Sequence, residues 1–133
     1  MKKRFLGILA AALLLLPGCA GGKEPAADVK KLSDQLVSTI KFKDEMSAAG
    51  TNAAVKLYGL ETEDVAQAGV YESTGATAEE VAAFQAKDGA AAARIKQKVG
   101  ERVETQRAGF RDYQPGEMEK LKNPVIVAKG SYV

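Results

Sequence analysis

The chemistry open to this chain is narrow. It has no histidine and a single cysteine, Cys19, so the common nucleophile–base pairs and zinc sites have no residues to build them. Carboxylates, amines and hydroxyls remain, and two groups of them have a spacing with chemical meaning. Arg102 and Gln106 would share one stripe of a helix, and Tyr113 follows them. Together they offer a cation, an amide and a phenol to line a groove for an anionic or peptide-like ligand. The same three residues also suit ordinary hydrogen bonds between a helix surface and a loop. Glu61, Glu63 and Asp64 form the tightest acidic cluster. They lack the glycine and distal glutamate of a calcium loop, so a solvated loop is expected there and no metal site. An enzyme working through carboxylates would need two acids converging in a cleft with one held protonated. No catalytic constellation is visible, and the chain is expected not to be an enzyme. Tyr58, Tyr71 and Phe84 read as core or sheet residues rather than as an aromatic binding box.

Cys19 carries a different chemistry. Lys2, Lys3 and Arg4 precede an uncharged, mostly aliphatic run from Phe5 to Leu16, which closes on Pro17, Gly18 and Cys19. That is the layout of a secretory signal peptide, too short for the roughly 20 residues of a permanent transmembrane helix. Its end, Leu16-Pro17-Gly18-Cys19, resembles the lipobox of bacterial lipoproteins, with Pro17 in place of the usual small residue. The resemblance implies that the signal, residues 1–18, is removed and that Cys19 becomes a first residue carrying a diacylglyceryl group. Each buried methylene of such a lipid contributes about 0.8 kcal/mol, and two or more acyl chains anchor stably. With its thiol consumed, the exported chain has no internal disulfide and depends on its core.

Removal of the signal also changes the charge. The whole sequence has 19 Lys and Arg against 17 Asp and Glu; residues 1–18 hold three of the cations and no acid, which leaves 16 against 17. That balance provides no electrostatic footprint for nucleic acid and no polybasic membrane patch. Residues 19–27, the lipidated cysteine and a small, polar, Gly- and Pro-containing run, read as a flexible tether. The remaining residues, 28–133, are enough for one modest domain.

The elements that would position the polar groups follow from periodicity. Asp28 suits an N-cap, and Val29, Leu32, Leu36 and Ile40 recur at spacings of three and four, so a first helix should rest on the core through that stripe, with Phe42 and Met46 extending the contact. A short helix is expected over 53–58, capped by Asn52 and stopped by Gly59. Val65 to Tyr71 suits a strand and Ser73 to Ala76 a turn. Over 77–87 the signals conflict. Thr77 and Glu80 have capping-box spacing, whereas the following residues also fit an alternating strand, and local propensity favours helix. Asp88 to about Ala108 is an amphipathic helix carrying Arg102 and Gln106, with Phe110 and Tyr113 docking its exit. Pro115 suits the first turn of another short helix, ended by Asn123-Pro124. Val125 to Ala128 reads as a strand, Lys129-Gly130 as a turn, and Ser131 to Val133 as the start of a further strand. A strand of three residues is short, and the sequence is expected to lack the rest of it.

Several stretches of the exported part resemble the small lipoprotein family catalogued as domain of unknown function 4358, found in clostridia and related Gram-positive bacteria. They are 41–46 (Lys-Phe-Lys-Asp-Glu-Met), Tyr58-Gly59-Leu60, Val70-Tyr71, Ala78-Glu79-Glu80-Val81, Arg102 and Gln106 with Phe110 and Tyr113-Gln114-Pro115, and Leu121-Lys122-Asn123 leading to 125–127 and 130–133. The resemblance implies a strand over 79–86 after a hairpin, and a chain that continues past Val133. It implies no activity and no catalytic residues. The expected architecture is a small single α+β domain with amphipathic helices packed on a short, mainly antiparallel sheet. The expected role is a membrane-anchored, extracytoplasmic, non-catalytic binding or interaction module on the outer face of the cytoplasmic membrane. Its expected partners are the membrane, through the lipid, and an envelope protein or wall component. No cofactor is expected beyond the lipid on Cys19. The alternative is a carboxylate-dependent envelope enzyme.

Overall fold

A computed structural model describes residues 26–133. The signal peptide, Cys19 and most of the tether lie outside them. The described chain forms four α-helices and a three-stranded antiparallel sheet, an α+β domain: α1 (Val29–Thr39), β1 (Ser47–Ala49), α2 (Thr51–Tyr58), β2 (Val65–Glu72), β3 (Glu80–Ala86), α3 (Gly89–Tyr113) and α4 (Met118–Lys122). The strand order is β1-β2-β3, with Ala48 opposite Tyr71, and Val70 opposite Ala82. Among the described residues no helix is long and apolar enough to cross a membrane.

Alternation along the strands separates two buried faces. Ala68 and Val70 of β2 and Phe84 and Ala86 of β3 point to one side, where they meet Ala54 and Tyr58 of α2 and Ala91, Ala92 and Ile95 of α3. Phe84 and Ile95 are wholly buried, each worth about 1.5–3 kcal/mol against exposure. The short helix α2 ends in this layer at Gly59, which takes φ 61°, the left-handed conformation that ends a helix cheaply only for glycine; its N–H donates to the Lys56 carbonyl and that of Leu60 to the Val55 carbonyl. Its N-cap is Gly50 rather than Asn52, which sits inside the first turn.

The opposite face is covered by α1, which Asp28 caps by accepting from the N–H groups of Lys30 and Lys31. Of the apolar stripe only Val29 is buried here. Val29 and Ser33 are buried, while Leu32 is 43% and Leu36 36% exposed, and Ile40 is exposed as well. The cause is Gly69. A Cβ built there would lie 2.3 Å from Ser33 Oγ and 2.6 Å from the carbonyl oxygen of Val29. Without a side chain in β2 at that point, the α1 backbone settles directly on the sheet and the leucines turn to one flank.

Within the segment over 77–87, Glu80–Ala86 is strand β3, as the family resemblance implies and local propensity does not. Thr77 and Glu80 form no capping box; Thr77 Oγ1 donates to Glu79 instead. Helix α3 is capped by Asp88, which accepts from the Ala91 N–H, and it runs through Tyr113, five residues past its expected end. Val125 to Ala128 forms no strand and pairs in no ladder, contrary to the strand expected there. The turn at Lys129-Gly130 is present, and Ser131 to Val133 pair with the outer edge of β3.

Candidate functional site

The turns of α3 that face β3 carry Val99, Arg102, Val103 and Gln106, residues three and four apart and therefore on one side of the helix. Opposite them stands Glu80, the first residue of β3. Its carboxylate accepts from Arg102 Nη2 at 2.8 Å, Arg102 Nε at 3.3 Å and Gln106 Nε2 at 3.3 Å. Tyr58, at the end of α2, donates its hydroxyl to the same carboxylate. The Tyr58 ring meets Phe84 edge-on at 5.1 Å and lies 5.9 Å beneath the Arg102 guanidinium. Glu72 approaches Arg102 at 3.5 Å from the other side. Burial, then the charge of Glu80, pushes the Tyr58 phenol far above its usual value, so it remains a donor at any physiological pH. Burial draws the Arg102 guanidinium down, but its bonds to Glu80 outweigh that and hold it above its ordinary value. The cluster is saturated: no buried side-chain polar atom among the described residues lacks a partner.

Two cavities open on either side of this cluster. The first, about 330 Å³, lies between Ala82 on the edge of β3, Val99 and Val103 of α3, Leu121 of α4 and the chain at Val125 and Ile126. The second, about 320 Å³, is lined by Glu72, Thr77, Arg102, Gln106 and Tyr113 among others. All three residues singled out from the sequence therefore meet at the second cavity, and Arg102 and Gln106 stand in the wall between the two. Tyr113 is exposed, rests on Phe110 at 6.0 Å between centroids, and makes no bond to the Glu80 cluster. Glu80 and Tyr58 were not expected in this role. The available signal was a charged residue at the head of the mostly small and apolar stretch 81–84.

A second ionic group forms the rim. Lys120 Nζ joins Glu79 at 3.0 Å and Glu117 at 2.8 Å. Glu79 also accepts from the backbone N–H groups of Lys43 and Asp44, and Glu117 from that of Ala78. Burial works against the Glu79 carboxylate, but Lys120 and those N–H groups hold it below its usual range. Lys120 does the same for Glu117, whose pKa is also lowered. Such carboxylates are poor proton donors near neutrality. What the first cavity offers instead is apolar surface, a strand edge and charges already paired with one another.

The acidic cluster after α2 separates. Glu61 and Glu63 are exposed, as a solvated loop requires, but Asp64 is buried. It takes a two-pronged contact from Arg94, both bonds 2.7 Å, and lies 3.2 Å from Lys87. Those bonds, chiefly the pair from Arg94, lower its pKa to about 2. Among the described residues no group of three or more Cys, Asp or Glu converges as a metal site would require.

A family model described as a domain of unknown function, DUF4358, matches residues 38–133. No curated protein and no solved structure matches the chain.

Proposed function

Starting from the fact that the chain belongs to the DUF4358 family, a domain of unknown function, we propose that it is a non-catalytic binding module held at the outer face of the cytoplasmic membrane. The observation that carries the binding reading is the cleft between β3, α3 and residues 123–126, open to solvent and apolar in its walls, with paired charges at one end. Sites that recognise ligands combine mostly apolar lining with a few fixed polar groups, and Arg102, Gln106 and Tyr58 are fixed here by Glu80. A carboxylate-dependent enzyme is the less supported reading, because Glu79 and Glu117 are held ionised by Lys120 and a general acid needs the opposite.

The address rests on residues 1–19. The charged start, the apolar run and Cys19 after Gly18 motivate a diacylglyceryl anchor, and the tether brings the domain close to the membrane. Two measurements test the proposal. The intact mass of protein extracted from membranes should correspond to a chain beginning at Cys19 with added acyl mass; an unlipidated mass would end the anchored reading. Cross-linking in intact cells should capture a recurrent partner through the cleft, and a protein that captures nothing under any condition would end the binding reading.

A further inference from the structure

Glu72 and Glu80 face each other across the β2–β3 ladder, so two carboxylates stand on neighbouring strands, where like charges repel. A single cation, Arg102, serves both. It bonds to Glu80 but only approaches Glu72, at 3.5 Å. The Glu80 oxygens are filled by Arg102, Gln106 and Tyr58. Among the described residues the Glu72 carboxylate accepts no hydrogen bond, and its side chain is 38% exposed. Of the ionised side chains that line the second cavity, two are therefore anions, Glu72 and Glu80, and one is a cation, Arg102. The negative charge left over belongs to Glu72.

The rest of the lining suits a cation that carries N–H groups. Gln106 can meet a carboxylate only through its amide nitrogen, so the bond to Glu80 fixes the amide and leaves Oε1 as an acceptor. That oxygen has no partner among the described residues, where no buried polar side-chain atom goes unbonded, so it is open to solvent. The Tyr113 hydroxyl is likewise unbonded among the described residues. Its exposed ring, resting on Phe110 at 6.0 Å, offers a face to positive charge. At about 320 Å³ the cavity stands at the small end of ligand pockets, which suits one side chain or small molecule rather than an extended peptide. It borders the hairpin from Ser73 to Thr77 and the last turns of α3, on the β2 side of Glu80 and away from the edge where β3 meets Tyr132 and Val133.

We propose that the second cavity binds an alkylammonium group, with Glu72 as its counter-ion. Gln106 Oε1 and the Tyr113 hydroxyl accept alongside Glu72, and three acceptors match the three N–H donors of a primary ammonium. A quaternary ammonium has none to give. An ammonium on an alkyl stem occurs both in free amines and in lysine side chains. This site goes beyond the binding reading above and does not need it, because the cavity shares only Glu80, Arg102 and Gln106 with the cleft.

The test is an NMR titration of the isotope-labelled full-length protein in nanodiscs of zwitterionic phosphatidylcholine. The ligands are n-butylamine, which is the end of a lysine side chain, and a capped peptide with a single lysine; butyltrimethylammonium and butanol are the controls. The amides of Gly75 and Gly109, which line the cavity, should shift saturably with both ammonium ligands. The trimethyl analogue should bind about tenfold or more weakly, as loss of charge-assisted hydrogen bonds requires, and butanol should not bind. Glu72→Gln should weaken butylamine binding by about tenfold or more, and Tyr113→Ala by about two- to fivefold. Glu119→Gln, which removes an exposed carboxylate elsewhere, should change nothing. The trimethyl comparison probes the same site in the unaltered protein if Glu72→Gln folds poorly. A lysine peptide that binds more tightly than butylamine assigns the ammonium to a partner protein, and the reverse order assigns it to a small molecule; both bear the site out. The proposal is overturned if Gly75 and Gly109 stay unmoved, if the trimethyl analogue binds as tightly as butylamine, or if Glu72→Gln binds as tightly as the unaltered protein. A partner cross-linked through the cleft, with no ammonium bound here, sinks this inference and leaves the binding module standing. Ammonium binding here with no partner captured in cells does the reverse.

Discussion

The side chains around Glu80 show how far single residues constrain this protein. Arg102 is mostly buried and bonded to the Glu80 carboxylate, with Glu72 3.5 Å away, so removing it leaves Glu80 with Tyr58 and Gln106 alone. Arg102→Ala should destabilise the fold by about 1–3 kcal/mol, read as a lower urea midpoint. Combining Arg102→Met with Glu80→Gln should recover much of that loss, because an ion pair taken out of water gives little net stability over a well-packed replacement. Asp64 makes a prediction in pH. Its carboxyl titrates at about 2 in the fold, below the ordinary 3.8 of the unfolded chain. The unfolded chain therefore takes up the proton first. The stability that Asp64 contributes is complete above the ordinary value and is lost as pH falls through about 2. In Asp64→Asn the acid limb of a stability–pH curve should be shallower over that window, and an unchanged limb would contradict the assignment. Half of this chemistry was legible in the sequence. Arg102 and Gln106 announce themselves by helical spacing, but Glu80 and Tyr58 join them only through a strand and a helix far away along the chain, and no local pattern reports such a meeting.

At the scale of elements, the places where sequence and structure part have physical causes. Strand β3 is covered on both faces, by α1 and by α2 with α3, so small and apolar residues fill 81–84 and the alternation that identifies a half-buried strand is muted there. Strand β1 is three residues, too short to show a period. Helix α1 was read correctly in its limits and its cap, yet its buried line is set by a glycine in another element. Gly69→Ala tests that cause. The new methyl would collide with Ser33 and with the Val29 carbonyl, and α1 would have to lift from the sheet, at a cost of about 1–3 kcal/mol. Thermal unfolding should show the loss, and hydrogen exchange in α1 should rise more than in α3. Ile95→Ala belongs to the other layer. It should cost about 2–5 kcal/mol and raise exchange on the α3 side of the sheet.

Taken whole, the chain divides its tasks along its length. Residues 1–19 carry the proposed address, and the matched region, 38–133, holds nearly all of the core and both cavities. Cys19→Ala should therefore move the protein out of the membrane fraction while leaving the melting temperature of the folded domain unchanged; a melting temperature that fell with the anchor would show that the lipid end also supports the fold. The calculated pI of 8.6 is a property of the full sequence, and the chain after residue 18 has one more acid than cation. Charge consequently gives little indication of a partner.

The Ala27 N–H donates to the Tyr132 hydroxyl across 105 positions of sequence. A ribosome delivers Ala27 long before Tyr132. Helix α1, with β1, β2 and β3, is available before Ser131 to Val133 exist to cover any of the outer edge. For that interval the outer edge of β3 is bare, and any strand nearby competes for it with Ser131 to Val133. The rate of synthesis, as well as affinity, then decides which strand β3 first accepts.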